Sequence, residues 1–222
     1  MSLNNKLIID VHGYWHAGSG RSAGAFADAL VQKTPQGLPR VGGRHLKGLL
    51  RHALRKAESL GWYRDLELPE GPVENLETLL FGTPSQQESR YNTAPGILMV
   101  SDGALPQPES DWLSQDDQSQ LRQHLYRRVS STAMTDRGTA LADSLRTIEV
   151  TIPMQLHATL SMQPTAVDAA ERAQQYAWID RRDAWNSLLQ ACALIDSIGA
   201  NRSRGLGEAS LSLASVEGEK QS

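Results

Sequence analysis

The chain has 222 residues, a formal net charge of −3 and 40% apolar residues, enough for one large domain or two small ones with an ample core. No continuous apolar run is long enough to span a bilayer and the N-terminus is too short in apolar residues for a signal segment, so no membrane partner is expected; the lone Cys192 can build neither an internal disulfide nor a Cys-rich zinc site, and a reducing cytoplasm is the expected setting. The six His show no metal-ligand spacing, and the charge is segregated, basic at 40–56, 127–128 and 202–204 and acidic at 65–77 and 102–117, as in a protein with a basic groove on an acidic body.

Residues 6–14, with Leu7, Ile8, Ile9 and Val11, predict a first strand, and 16–24 a Gly/Ser-rich loop. The short apolar stretch 25–31 carries one acid, Asp28. Residues 37–55 are a tight turn opening into a helix that runs to about Gly61. Leu46, Leu49, Leu50, Ala53, Ala57 and Leu60 form its apolar face. On the flank, Arg44, Lys47, Arg51 and Arg55 fall within about 80° of arc at roughly 100° per residue. No Asp or Glu occurs from Leu38 to Ala57. Gly42 and Gly43 allow a close backbone approach, and free N–H groups at the helix start favour an anion. A phosphate-facing turn backed by a basic helix is the functional reading; an amphipathic helix with a solvated basic face is the alternative.

Residues 61–89, with Pro69, Gly71 and Pro72, read as a mixed connection with one helical turn at 76–81, and 96–101 as a strand. The Pro-, Ser- and acid-rich stretch 102–117 reads as a surface loop, and 118–128 as a short helix. Residues 129–143 are too polar for core. Alternation over 146–162 predicts a long strand or a hairpin. Residues 180–199 predict the second helix, with Trp185, Leu188, Leu189, Cys192, Ile195 and Ile198 on its apolar face and Gly199 ending it. A Gly/Arg loop at 199–208, a last strand at 209–214 and a frayed tail at 217–222 follow. The order gives an α+β, ferredoxin-like (RRM-like) βαββαβ plan with an insertion.

Two Gly-rich loops carry the chemistry. Gly199, Gly205 and Gly207 with Arg202 and Arg204 can turn backbone amides and guanidinium groups toward a sugar-phosphate backbone; a helix end followed by a flexible turn is the alternative. Gly18, Gly20 and Gly24 after a strand could be the dinucleotide loop of a short-chain dehydrogenase. That reading demands a Tyr-x-x-x-Lys pair, and none of the five Tyr has one. None of the five Trp is assigned to RNA: Trp185 and Trp15 are read as packing and Trp112 lies in the acidic stretch; Cys192 is read as a small core residue.

Five segments resemble the RAMP superfamily of CRISPR-associated proteins, and most closely the repeated backbone subunit of type III effector complexes. They are the first strand running into His16-Ala-Gly-Ser-Gly20; Asp28-Ala-Leu-Val31-Gln-Lys33 leading to Gly37-Leu38-Pro39; the turn and helix Gly43-Arg44-His45-Leu46-Lys47-Gly48-Leu49-Leu50-Arg51; Asp136-Arg137-Gly-Thr-Ala140 through Glu149; and Gly199-Ala-Asn-Arg-Ser-Arg-Gly-Leu-Gly207. Arg44-His45 stands where the family has paired Ser, and Gly42 where it has Pro; Arg can grip phosphate with two N–H groups.

The resemblance implies one domain over 1–222, with a palm at about 5–128 and 144–216 and an inserted β-hairpin thumb at about 129–143. It implies a guide (CRISPR) RNA held by His16, Gly18, Gly20, Arg21, Gly42, Gly43, Arg44, His45, Lys47, Arg51, Asn201, Arg202, Arg204 and Gly205. Met134, Arg137 and Leu141 would lie on the thumb. Asp28 would be the catalytic and metal-holding residue of a Mg- or Mn-dependent endoribonuclease that cuts target RNA. The alternative within the family is a scaffold that needs no cofactor and relies on another nuclease. Expected partners are guide RNA, target RNA, further copies of the chain in a filament, and other effector subunits.

Overall fold

Strand β1 (Asn4–Val11) is the strand on which the sheet is built. Its alternate residues Leu7, Ile9 and Val11 are buried, as period-two patterning requires. In the computed structural model, which describes residues 4–24, 27–69, 75–83, 94–181 and 183–215, β1 pairs antiparallel with β7 (Met154–Met162) on one side and with β8 (Ala209–Ser215) on the other. Strand β3 (Leu98–Val100) pairs with β7, so the run is β8-β1-β7-β3. The two-residue strands β4 (Gly103–Ala104) and β2 (Arg40–Val41) continue the sheet from β7. The expected tail at 217–222, residues 25–26 of the short apolar stretch, and 70–74 and 84–89 of the expected connection lie outside the described residues.

Helix α1 (Gly43–Ser59) packs against α2 (Leu76–Phe81), β3 and α6 (Asp183–Cys192). Leu46, Leu49, Leu50, Ala53 and Ala57 are buried as their spacing demands. Leu60 is the helix C-cap and is 57% exposed, because the apolar face ends one turn before it. Gly61, at φ +78°, closes the end. On α6, Trp185, Leu188 and Cys192 are buried and Leu189 is exposed. Burial pushes the Cys192 thiol up to about 12.

Three expectations need correction, and one helix was not expected at all. The second helix stops at Cys192, not Gly199; Ile195 and Ile198 are buried from an irregular segment, whose N–H and C=O groups bond the chain beside Gly207 and Ala209. A helix precedes it, α5 (Ala169–Asp180), capped by the Asp168 carboxylate on the N–H groups of Ala170 and Glu171. The stretch 102–117 is not simply a loop: it holds β4, α3 (Gln107–Leu113) and a tight 3-10 turn before α4 (Ser119–Gln123). The alternating stretch 146–162 is two strands. Strand β6 (Arg146–Thr151) leaves the main sheet and pairs with β5 (Tyr126–Ser131), and the chain corners through Ile152 and Pro153 into β7. Trp15 clamps that corner. It is fully buried, its backbone exchanges hydrogen bonds with Thr151 at 3.1 and 2.8 Å, and its indole N–H donates to the Ile152 carbonyl at 3.0 Å.

The molecule is thus a mixed helix and sheet structure with antiparallel sheets. Among the described residues no helix is long and apolar enough to cross a membrane.

Candidate functional site

Helix α1 begins where β2 ends, and Gly42 is its N-cap with φ −63° and ψ 136°. An anion does occupy this helix start, and it belongs to the chain: the Asp102 carboxylate accepts the Gly43 N–H at 2.7 Å and the Arg40 guanidinium at 2.9 Å. The close approach that Gly43 permits is also internal. A Cβ there would run into the carbonyl of Val100 and the backbone of Ser101. Gly43 therefore seats α1 on the end of β3, whereas a Cβ at Gly42 would meet only the Gln32 side chain.

The basic flank of α1 divides in two. Lys47 donates to the Leu98 carbonyl at 2.7 Å, and burial followed by the neighbouring Arg51 charge lowers its pKa. Arg51 donates to Glu77 at 2.6 Å and to the Gly82 carbonyl at 2.9 Å, and Arg55 pairs with the same Glu77. The hydrogen bond from Arg55, ahead of that from Arg51, holds the Glu77 carboxyl below the usual carboxylate range. The flank without acids in sequence thus meets an acid from α2, 26 positions beyond Arg51. Arg44 alone of this row is exposed with no side-chain partner among the described residues.

His45 joins α1 to the C-terminal Gly loop. Its Nε2 accepts the Gly199 N–H at 3.0 Å, so Nδ1 carries the proton of the neutral ring. Burial, and then the Arg202 charge, lower its pKa. The loop is built tightly on that anchor. Gly199 lies at φ +79°, and a Cβ there would stand 2.5 Å from the His16 carbonyl oxygen; Ala200 N–H donates to the same oxygen at 2.8 Å. Asn201 at φ 57° and Gly205 at φ 80° bracket a short 3-10 turn that leaves Arg202 and Arg204 exposed.

His16 itself is 5% exposed, and its Nδ1 lies 2.6 Å from the Glu149 carbonyl oxygen. Its ring lies under Gly18 and its backbone under the Gly199 turn, so it is not a surface group. Gly18 bridges Val31, and Gly20 turns the loop at φ +73° beside exposed Arg21.

Asp28 is exposed and lies against β6. Its backbone N–H donates to the Thr147 carbonyl, and its Oδ2 accepts the Thr147 N–H, both at 2.7 Å. Oδ1 has no hydrogen-bond partner among the described residues. The following residues run parallel to β6. Glu149 fixes them: 7% exposed, it accepts the Val31 N–H at 3.2 Å and the Lys33 ammonium at 2.7 Å. Lys33 also lies 3.8 Å over the Tyr126 ring, and Tyr126 donates its hydroxyl to the Gly37 carbonyl at 2.6 Å. This Lys33–Glu149–Tyr126 knot was not singled out in the sequence. Lys33 and Glu149 both stand in recognisable motifs, yet 116 positions separate them.

For a divalent cation the site offers one carboxylate, that of Asp28. Among the described residues no three His, Cys, Asp or Glu gather as a metal cage. The free Oδ1 of Asp28 suits an ion such as Mg²⁺, which commonly takes one or two carboxylates and completes its shell with water and substrate phosphate. The hairpin β5–β6 carries the remaining expected residues at its far end. Met134 bridges Ala140, Gly138 turns the tip at φ +76°, and Met134, Arg137 and Leu141 are exposed.

A protein-family model described as the RAMP superfamily matches residues 8–210. Among solved structures, a chain of the type III-B Cmr-beta bound to cognate target RNA is 12% identical, with a TM-score of 0.59, over 95% of this chain and 96% of that one. A chain of the apo state of the type III-B Cmr-beta is 12% identical, with a TM-score of 0.55, over 96% and 97%. No curated protein matches the chain. At this identity the likeness to the solved chains is one of fold.

Proposed function

Since the chain belongs to the RAMP superfamily, matched over nearly its whole length, we propose that it is a backbone subunit of a type III CRISPR effector, which holds guide RNA by its sugar-phosphate backbone and presents it to target RNA. The observation that carries this reading is the bond from Gly199 to His45. It makes one surface from two turns distant in sequence, with Arg44, Arg202 and Arg204 exposed on it. Phosphate contacts of this kind fix position without reading bases, and pairing between guide and target supplies the sequence recognition. Solved chains of like fold come from a Cmr-beta assembly with cognate target RNA, which supports RNA and other effector subunits as partners. Several copies would pack head to tail along one guide, a heterologous contact that does not close.

The strand order β8-β1-β7-β3 supports a ferredoxin-like palm, and the separate β5–β6 ladder supports an inserted thumb. Exposed Met134 and Leu141 at its tip suit apolar contact with an unstacked base. Asp28, bonded to Thr147 one pair from the tip end of the β5–β6 ladder, is the residue we assign to cleavage of target RNA. The Thr147 N–H on Oδ2 holds the carboxylate in one orientation, and Oδ1 can hold a divalent ion or orient a ribose hydroxyl. The ion, when bound, stabilises charge that develops on the phosphate.

Purification of the chain with its partner subunits, followed by mass analysis and sequencing of co-purified RNA, tests this reading. Several copies per RNA of uniform length are expected. A complex free of RNA would refute it.

A further inference from the structure

The two edges of the main sheet are treated differently by the chain. At one, Lys47 donates to the Leu98 carbonyl of β3 and the Arg40 N–H of β2 donates to the Gln32 carbonyl at 3.3 Å, so the edge is covered. The other edge is β8. The His12 N–H donates to the Glu208 carbonyl at 2.8 Å, and this pair continues the β1–β8 register, in which Asp10 faces Ser210 and Ile8 faces Ser212. Bonded and non-bonded pairs alternate along an antiparallel ladder. Ser210, Ser212 and Ala214 therefore turn their backbone groups to β1, and Leu211 and Leu213 turn theirs outward. The chain fills the outward lane only at its start. There the Ile198 N–H donates to the Gly207 carbonyl at 2.8 Å, and the Ala209 N–H donates to the Asp196 carbonyl at 2.9 Å. From Leu211 on, the outward N–H and C=O groups have no partner among the described residues. Edges of this kind are usually blunted by charge, Pro or a bulge. Strand β8 reads Ala-Ser-Leu-Ser-Leu-Ala-Ser, in unbroken register, and has none of these.

We propose that β8 pairs antiparallel with β8 of a second copy of this chain, about a two-fold axis through Ser212, and joins the two main sheets into one. The strand is self-complementary in that register. Leu211 falls opposite Leu213 of the second copy, and Leu213 opposite its Leu211. Outward-facing residue thus meets outward-facing residue, as a bonded pair requires. A two-fold contact sets a charge near its axis against its own like, and a strand without charge escapes that cost. Leu213, only partly buried in one copy, gains Leu211 of the other as cover on the helix side of the sheet. Asp196 occupies the lane beside Ala209, so the ladder is confined to 210–214. A contact this short gives a weak dimer, at the low end of specific interfaces. It closes on itself and needs no RNA, unlike the head-to-tail packing proposed above, and it does not depend on that packing.

The experiment uses the purified chain after nuclease treatment, which removes any assembly strung along RNA. Sedimentation of the wild type should show a monomer–dimer equilibrium at micromolar concentrations, unaffected by added salt. Ser212 is exposed, so its variants should fold as the wild type does. Ser212→Lys sets like charges across the axis and should weaken the dimer at least about tenfold. Mixing Ser212→Lys with Ser212→Asp should restore it as a heterodimer. Ser212→Cys should form a disulfide-linked dimer on mild oxidation, because the facing Cα atoms of a non-bonded pair lie about 4.5 Å apart, inside the disulfide range of about 4.4–6.8 Å. Cys192, 1% exposed, takes no part. Ser210→Cys is exposed on the same strand but stands about 13 Å from its counterpart, at roughly 3.4 Å per residue, and should stay monomeric. Equal cross-linking of Ser210→Cys and Ser212→Cys would overturn the inference, as would a dimer that Ser212→Lys leaves unchanged. A wild type that stays monomeric, with no cross-link in Ser212→Cys, would overturn it and leave the edge to a strand of another protein.

Discussion

His45 Nε2 accepts the Gly199 N–H at 3.0 Å, and only a neutral imidazole can do so. The ring is held below its ordinary pKa by burial first and the Arg202 charge second. A depressed pKa means that the unfolded chain binds a proton more readily than the folded one. The stabilising contribution is therefore complete above about pH 6.5 and is lost as pH falls through the folded value. Thermal unfolding of the wild type should show this acid sensitivity below pH 6.5. In His45→Gln it should shrink to what the other depressed histidine, His157, contributes. Equal pH profiles for the two proteins would remove His45 from the account.

The two halves of the basic flank should respond differently to substitution. Arg44→Ala/Arg202→Ala/Arg204→Ala should unfold like the wild type yet fail to retain guide RNA, because all three side chains project from the surface. Arg51→Ala should do the reverse. It breaks bonds to Glu77 and to the Gly82 carbonyl and should cost roughly 1–2 kcal/mol in urea unfolding, while guide retention at low temperature stays near the wild-type level.

Replacing 132–144 by a short Gly linker removes the hairpin tip, whose exposed side chains bury little apolar area. The β5–β6 ladder ends at the Ser131–Arg146 pair and stays whole. Stability should change by less than about 0.5 kcal/mol and guide loading should persist. Cuts in the target should lose their regular spacing, which a sequencing gel of end-labelled target RNA would show. A deletion that unfolds the protein would make the tip part of the core.

Asp28→Asn preserves an oxygen to accept the Thr147 N–H and removes the charge. Guide and target binding should match the wild type. Target cleavage with Mg²⁺ or Mn²⁺ should fall at least about 100-fold, since a carboxylate at the reacting phosphate acts through charge. A wild-type complex that binds target and never cuts it in either metal would establish the scaffold alternative. Undiminished cutting by Asp28→Asn would place the chemistry on another residue.

The parts legible in the sequence are those whose signal is local. The buried stripe of α1 repeats at helical spacing, and the Gly-rich turns announce themselves by residue type. Helix α5 was not legible by periodicity, because only Trp178 and Ile179 of it are buried; its signal was the Asp168 cap with Glu171 in the first turn. Helix α3 was hidden by the rule that Pro and acids mark loops. Pro106 at the cap, Pro108 just inside the helix and Glu109 in the first turn are the residues that start a helix. Alternation runs through Thr151 into Met154, so the period could not show that two different sheets receive it, and Pro153 was the punctuation. The fate of Arg51, and the knot of Lys33 with Glu149, depend on partners far along the chain that no local pattern encodes.

Cys192 is the chain's only cysteine, 1% exposed, with its thiol pushed up to about 12. Thiolate is the reactive form, so the folded chain is inert to maleimides and similar reagents. Met134→Cys would then place a single fast-reacting thiol at the hairpin tip without any background mutation. A fluorophore attached there could follow the hairpin as guide and target strands arrive, while slow labelling of Cys192 in the same sample would clock the opening of α6.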